Sequence, residues 1–168
     1  MLLKKRTFFH ASTQLQAMLC VIFGTVSWGV ANPHLFVTGP VHELDRCASV
    51  WLIKRYVDPE AIFEIHPENE LVTRGIAFDI PVAELRRTHK MSTFETIADR
   101  YDVVDSKVAY IGRLTHEREI NFLATSRSKE SFQLERDVQQ VIDREEDSHT
   151  AIQFCLQFFD NYTETIQK

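Results

Sequence analysis

Apolar positions along the chain follow two periods, one extended and one helical. Leu35-Phe36-Val37-Thr38 is a short apolar run closed by Gly39-Pro40, and it reads as a strand. Leu44, Cys47, Ala48, Trp51 and Leu52 then recur at helical spacing, which predicts a helix over 43–57. Asp58-Pro59 stops it, because proline cannot continue the hydrogen-bond ladder and restricts the residue before it. Ala61–Ile65 reads as a second strand and Ile76–Ile80 as a third. A strand–helix–strand order favours parallel pairing through a right-handed crossover.

Beyond Pro81 the pattern turns helical. Val82–Arg87 is long enough for a short helical turn, and Ser92-x-x-Glu95 has the form of a capping box ahead of Phe94, Ile97, Ala98 and Tyr101. Residues 106–117 predict another helix. Leu134, Val138, Val141 and Ile142 form the apolar stripe of the next, with charge opposite. The last helix carries Ile152, Cys155, Leu156, Phe159 and Tyr162, a stripe that reads as core packing rather than a cofactor box. Residues 123–131, rich in Ser, Thr and charge, read as a loop. The expected fold class is α+β and mostly helical: about three short strands with a βαβ start, packed against a helical C-terminal half.

The first 31 residues follow a different rule. Lys4, Lys5 and Arg6 precede an almost uncharged stretch from Leu15 to Val30, and Gly29-Val30-Ala31 supplies small residues before Asn32. That is the pattern of a secretory signal peptide over 1–31, leaving a single domain over 32–168 in an exported, periplasmic or secreted protein. An uncleaved anchor is the competing reading, but Gln16, Thr25, Ser27 and two glycines leave the run short of a membrane span. No stable membrane insertion is expected after cleavage. Leu19 before Cys20 does not suit lipid attachment. Of 19 basic and 24 acidic side chains in the chain, only three basic ones lie in the leader, so the 137 remaining residues carry a formal charge of −8. An acidic domain without a basic stripe is a poor nucleic-acid binder. Cys47 and Cys155 fall on apolar helical faces and read as buried thiols. A disulfide is the alternative in an oxidising compartment.

Several chemistries are excluded by inspection. His42-Glu43 and His116-Glu117 open like zinc-protease helices, but Arg46 and Ile120 stand where the second histidine belongs. There is no Gly-rich phosphate loop, no GxSxG, no CxxC, and no nucleotide or flavin motif. What remains is a scatter of histidines, carboxylates and arginines. His42-x-x-Asp45-Arg46 opens the first helix, where one turn brings these side chains toward one side. An acid there also suits the positive end of the helix dipole. Asp79 follows a strand, where ligands often bind, although turn formation beside Pro81 competes. Glu84, His89 and the run His116-Glu117-Arg118-Glu119 offer the donors a divalent metal takes, against the plainer reading of solvated surface.

Three blocks give these residues a context. Asp45-Arg46-Cys47-Ala48-Ser49-Val50-Trp51-Leu52-Ile53-Lys54-Arg55-Tyr56-Val57-Asp58-Pro59-Glu60-Ala61 is similar to a DRIA-x-x-WLIRRFIDPEA segment, Phe78–Glu84 to FD-x-x-G-AE, and His89 with Thr93-Phe94-Glu95 to H-x-x-x-x-C-TFE. Together they resemble the chromate-resistance protein B (ChrB) domain family, specifically its short exported members, over residues 35–122. Val82 replaces the family's glycine, Ser92 its frequent cysteine, and His116-Glu117-Arg118-Glu119 stands for its H-D-x-D element.

The resemblance implies a role in resistance to chromate or similar oxyanions. Cytoplasmic relatives sense chromate and regulate efflux genes, a role that does not transfer to an exported acidic domain. The first expectation is a site for a divalent metal (Fe, Mn or Zn) held by Glu84, His89, His116, Glu117 and Glu119. His42, Asp45 and Asp79 would orient that site, and Arg46 would face a small inorganic anion. The second is a metal-free oxyanion module built on Arg46, Arg86, Arg87 and helix N-termini. The third is a non-catalytic interaction protein.

Overall fold

A computed structural model describes residues 34–166 apart from 68–69, 122–126 and 145–146. The leader therefore lies outside the described residues, as do residues 123–126 of the expected 123–131 loop. Residues 129–131 of that loop belong instead to the next helix.

Three strands form one sheet: β1 (Leu35–Thr38), β2 (Ile62–Ile65) and β3 (Ile76–Ala77), in the order β2-β1-β3. Both pairings are parallel, with Phe36 opposite Phe63 and Ile76, and Val37 opposite Glu64 and Ala77. The expected βαβ start is present. The third strand is shorter than its apolar run. Phe78 still bridges to Leu85, but Asp79 adopts a left-handed backbone (φ 51°), which turns the chain out of the sheet.

α1 (Leu44–Leu52) continues into a π-helical turn, Ile53–Val57. From Cys47 to Ile53 every residue is buried. A helix apolar on nearly all sides belongs in the middle of a domain, and α1 is packed against the four helices that follow it. These are α2 (Thr93–Arg100), α3 (Ser106–Glu119), α4 (Lys129–Ile142) and α5 (Ser148–Thr165). Ser92 caps α2 through the Glu95 N–H while the Glu95 carboxylate accepts from the Ser92 N–H, completing the expected capping box. Asp105, Ser128 and Asp147 cap the other three.

Two expectations are corrected. Val82–Arg87 does not coil. Six residues are too few to nucleate a helix unaided, and the Asp79 N–H takes the Leu85 carbonyl at 2.8 Å, holding the segment against the sheet. Cys47 and Cys155 are not free thiols: they are joined as a disulfide, both fully buried, tying α1 to α5. Each does occupy the apolar face that its spacing indicated, and the two faces meet.

Candidate functional site

The carboxyl ends of the parallel strands open onto the N-termini of α1 and α2, and the polar residues of the first half converge there. In open parallel sheets that edge is where ligands bind. Asp45 is in the first turn of α1, but it serves another helix. Its two oxygens accept the N–H groups of Thr93 and Phe94, the first of α2, at 2.7 and 2.9 Å. Asp45 is almost completely buried. Burial, then the charge of Asp79, raises its pKa, against the pull of the Phe94 and Thr93 N–H groups, and the carboxyl is pushed up to about 8.

Arg46, one residue on, is a staple. Its Nε lies 2.8 Å from Asp79 Oδ2, its Nη2 donates to the Asp79 carbonyl at 2.8 Å, and its Nη1 donates to the Pro40 carbonyl. Thr93 Oγ1 donates to Asp79 Oδ1 at 2.6 Å. Asp79 is thus held on both oxygens and on its backbone, enough to keep a non-glycine residue in the left-handed region. Such strain is characteristic of sites that need one fixed geometry.

Glu119, at the end of α3, faces the same edge and is paired with Arg87. Burial raises its pKa, Glu43 adds to the rise, and Arg87 opposes it. Three cavities surround this network. Arg46, Arg86 and Arg87 line one of about 230 Å³ beside Glu43 and Asp79. His89, Arg118 and Glu119 line another of about 470 Å³ on the far side of Arg87. Arg46 and Asp79 also form part of a third, of about 600 Å³, reaching to His66 and Val82.

Of the residues expected to act as ligands or to support them, the fold gathers Asp45, Arg46 and Asp79, with Glu119 coupled to them electrostatically. His89 shares a cavity with Glu119 but is exposed. His42 is exposed ahead of α1, and Glu84 lines a separate hollow with Arg100 and Tyr101. His116 Nδ1 lies 2.8 Å from the capping-box carboxylate of Glu95. Burial would raise Glu117, but the hydroxyl and N–H of Ser128, with help from Ser131 and Arg113, draw it down to about 2. Among the described residues, no three His, Cys, Asp or Glu side chains are grouped to hold a metal ion. Thr93, which locks Asp79, and His66, which follows β2, were not singled out by sequence. Thr93 lay inside a recognised block, and His66 was marked only by standing at a strand's carboxyl end.

Fold and site together define a small α+β domain whose ionic residues converge on the carboxyl edge of a three-stranded parallel sheet. The chain belongs to the ChrB C-terminal domain family: the family model described as ChrB, C-terminal domain, matches residues 36–166. The match runs through α5, well beyond the three blocks in the first half, and brings with it a relation to chromate resistance. No curated protein and no solved structure matches the chain.

Proposed function

We propose that this protein is exported and holds a chromate-like oxyanion at the carboxyl edge of its sheet, on the guanidinium groups of Arg86 and Arg87. One observation carries the reading: Arg46, Arg86 and Arg87 line a single small cavity, and Arg87 also borders a second one containing His89 and Arg118. Arg46 is committed to Asp79 and to carbonyl groups, so it shapes the wall. Arg86 and Arg87 are exposed; Arg86 gives one N–H to the Pro81 carbonyl and Arg87 one to Glu119, and the remaining N–H groups of each guanidinium suit a tetrahedral oxyanion. The raised pKa of Asp45 lessens the negative charge beneath the site. An arriving anion replaces Glu119 on Arg87, and the raised pKa of Glu119 favours its taking up a proton when released.

The divalent-metal reading has less support, because Glu84 and His89 line separate hollows and His116 and Glu117 are engaged by Glu95 and Ser128. Export is supported by the basic-then-apolar leader and by the buried disulfide, which fits an oxidising compartment.

Equilibrium dialysis of metal-free protein against chromate and sulfate tests the site. Arg87→Gln is expected to weaken binding by roughly tenfold or more, and added salt to weaken it further. Binding that survives the Arg86→Gln/Arg87→Gln double variant sinks the proposal. Binding that appears only after iron, manganese or zinc is added moves the case to the metal reading.

A further inference from the structure

The largest cavity at the sheet edge, about 600 Å³, is a poor match for an inorganic anion. It lies across Arg46 and Asp79 from the Arg86–Arg87 cavity, and its volume is within the range of about 300–1,000 Å³ usual for small organic ligands. Leu71 and Val82 line it while 81% and 70% exposed, so two large apolar side chains stand open to solvent at one hollow. Pro40, Pro67 and Pro81 add rigid apolar surface.

Its charges argue against an anionic occupant. The Arg46 guanidinium is matched by Asp79 at 2.8 Å, and the remaining ionised wall residue, Glu70, is acidic. Its polar end has one unmet need. His66 is anchored by its N–H to the Thr38 carbonyl at 2.7 Å and lines the cavity, and its Nε2, which lies beneath the wall and reaches the cavity by a turn of the ring, meets no hydrogen-bond partner among the described residues. Whichever tautomer His66 adopts, Nε2 either accepts or donates one hydrogen bond, and a hydroxyl is the group that can answer both.

We infer that this cavity is a second ligand site, taking a neutral, compact organic molecule with an apolar ring and a hydroxyl group seated at the His66 end. The site does not depend on the oxyanion reading, since Arg86 and Arg87 do not line it.

Phenol serves as the probe, with benzoate as its charged counterpart, titrated into isotopically labelled full chain and followed by NMR. Phenol is expected to shift the His66 ring and the Leu71 and Val82 methyl resonances saturably, and to bind at least about tenfold more tightly than benzoate. Val82→Glu alters only an exposed lip and is expected to abolish the response without unfolding the chain. His66→Phe is expected to weaken phenol binding by roughly tenfold, the worth of one lost hydrogen bond. No saturable shift at these residues, a response unchanged in Val82→Glu, or benzoate binding as tightly as phenol would each overturn the proposal. Sulfate titrated into the same samples reports on the arginine cavity separately, so either site can fail while the other stands.

Discussion

A Cβ at position 75 would lie 2.8 Å from the Leu35 carbonyl oxygen and 2.9 Å from Val37 Cγ2, on a backbone already at φ 76°. Backbone conformation and the close approach to β1 both demand glycine there. Gly75→Ala is expected to cost about 1–3 kcal/mol, read as a lower urea midpoint. Asp45 acts on stability through pH. With its folded pKa raised from 3.8 to about 8, the folded chain binds more protons than the unfolded chain between those values. Stability therefore falls as pH rises across that window and levels off above it. Glu119 has the same sign, whereas Glu117, drawn down to about 2, costs stability only as pH falls below about 4.5. Denaturation midpoints measured from pH 5 to 8 are expected to decline, and Asp45→Asn to flatten the slope. An unchanged slope in the variant would remove Asp45 as its source. None of this was visible in the sequence at Asp45. An acid in a helix's first turn reads as serving that helix, and the partner helix starts 48 residues later.

At the scale of elements, local signals were legible wherever the cause was local. The Ser92–Glu95 capping box closes within four residues, so the sequence displays it whole. Ser92→Ala is expected to cost about 1 kcal/mol, measured by thermal unfolding, because the Glu95 N–H loses the hydroxyl that accepts it, while the Ser92 N–H keeps the Glu95 carboxylate. The clasp between α1 and α5 was not legible. Asp160 accepts from the Trp51 indole N–H at 3.0 Å and from Arg55 at 2.9 and 2.7 Å, and the Arg55 bond holds its pKa low. The arginine pair is half exposed and weak on its own. The Trp51 indole is the stronger partner, since the ring is buried and its N–H needs an acceptor. Asp160→Ala is therefore expected to destabilise by about 1–3 kcal/mol, and to change Trp fluorescence. Asp160→Asn, which keeps an acceptor oxygen, should recover much of the loss. A helical stripe tells that α5 has a buried face. It does not tell which polar residue at the edge of that face meets α1. Val82–Arg87 failed for the same reason, because its outcome depends on the Leu85 carbonyl finding the strand end.

Across the whole molecule, the disulfide between Cys47 and Cys155 spans 108 residues of sequence and encloses nearly the entire domain. Cross-linking so long a loop restricts the unfolded chain strongly, by roughly 4–5 kcal/mol in a chain-entropy picture and typically about 2–4 when measured. It fastens the central helix, which carries Asp45 and Arg46, to the last helix of the fold. The site therefore draws on an element far from it in sequence, which explains why a family match confined to the first half would have been physically incomplete. The matched region instead reaches residue 166. Both sulfurs are buried, so a reductant reaches them only when α5 opens. Reduction in native buffer is expected to be slow and to accelerate in moderate urea. The reduced chain is expected to unfold at a clearly lower urea midpoint. Cys47→Ala/Cys155→Ala should reproduce that midpoint while still binding oxyanion under native conditions, since Arg86 and Arg87 are not on either bridged helix. If the double variant keeps its stability, the cross-link is not what holds α1 in place, and the packing of Trp51 against Phe159 at 5.7 Å must carry that role together with the Asp160 clasp.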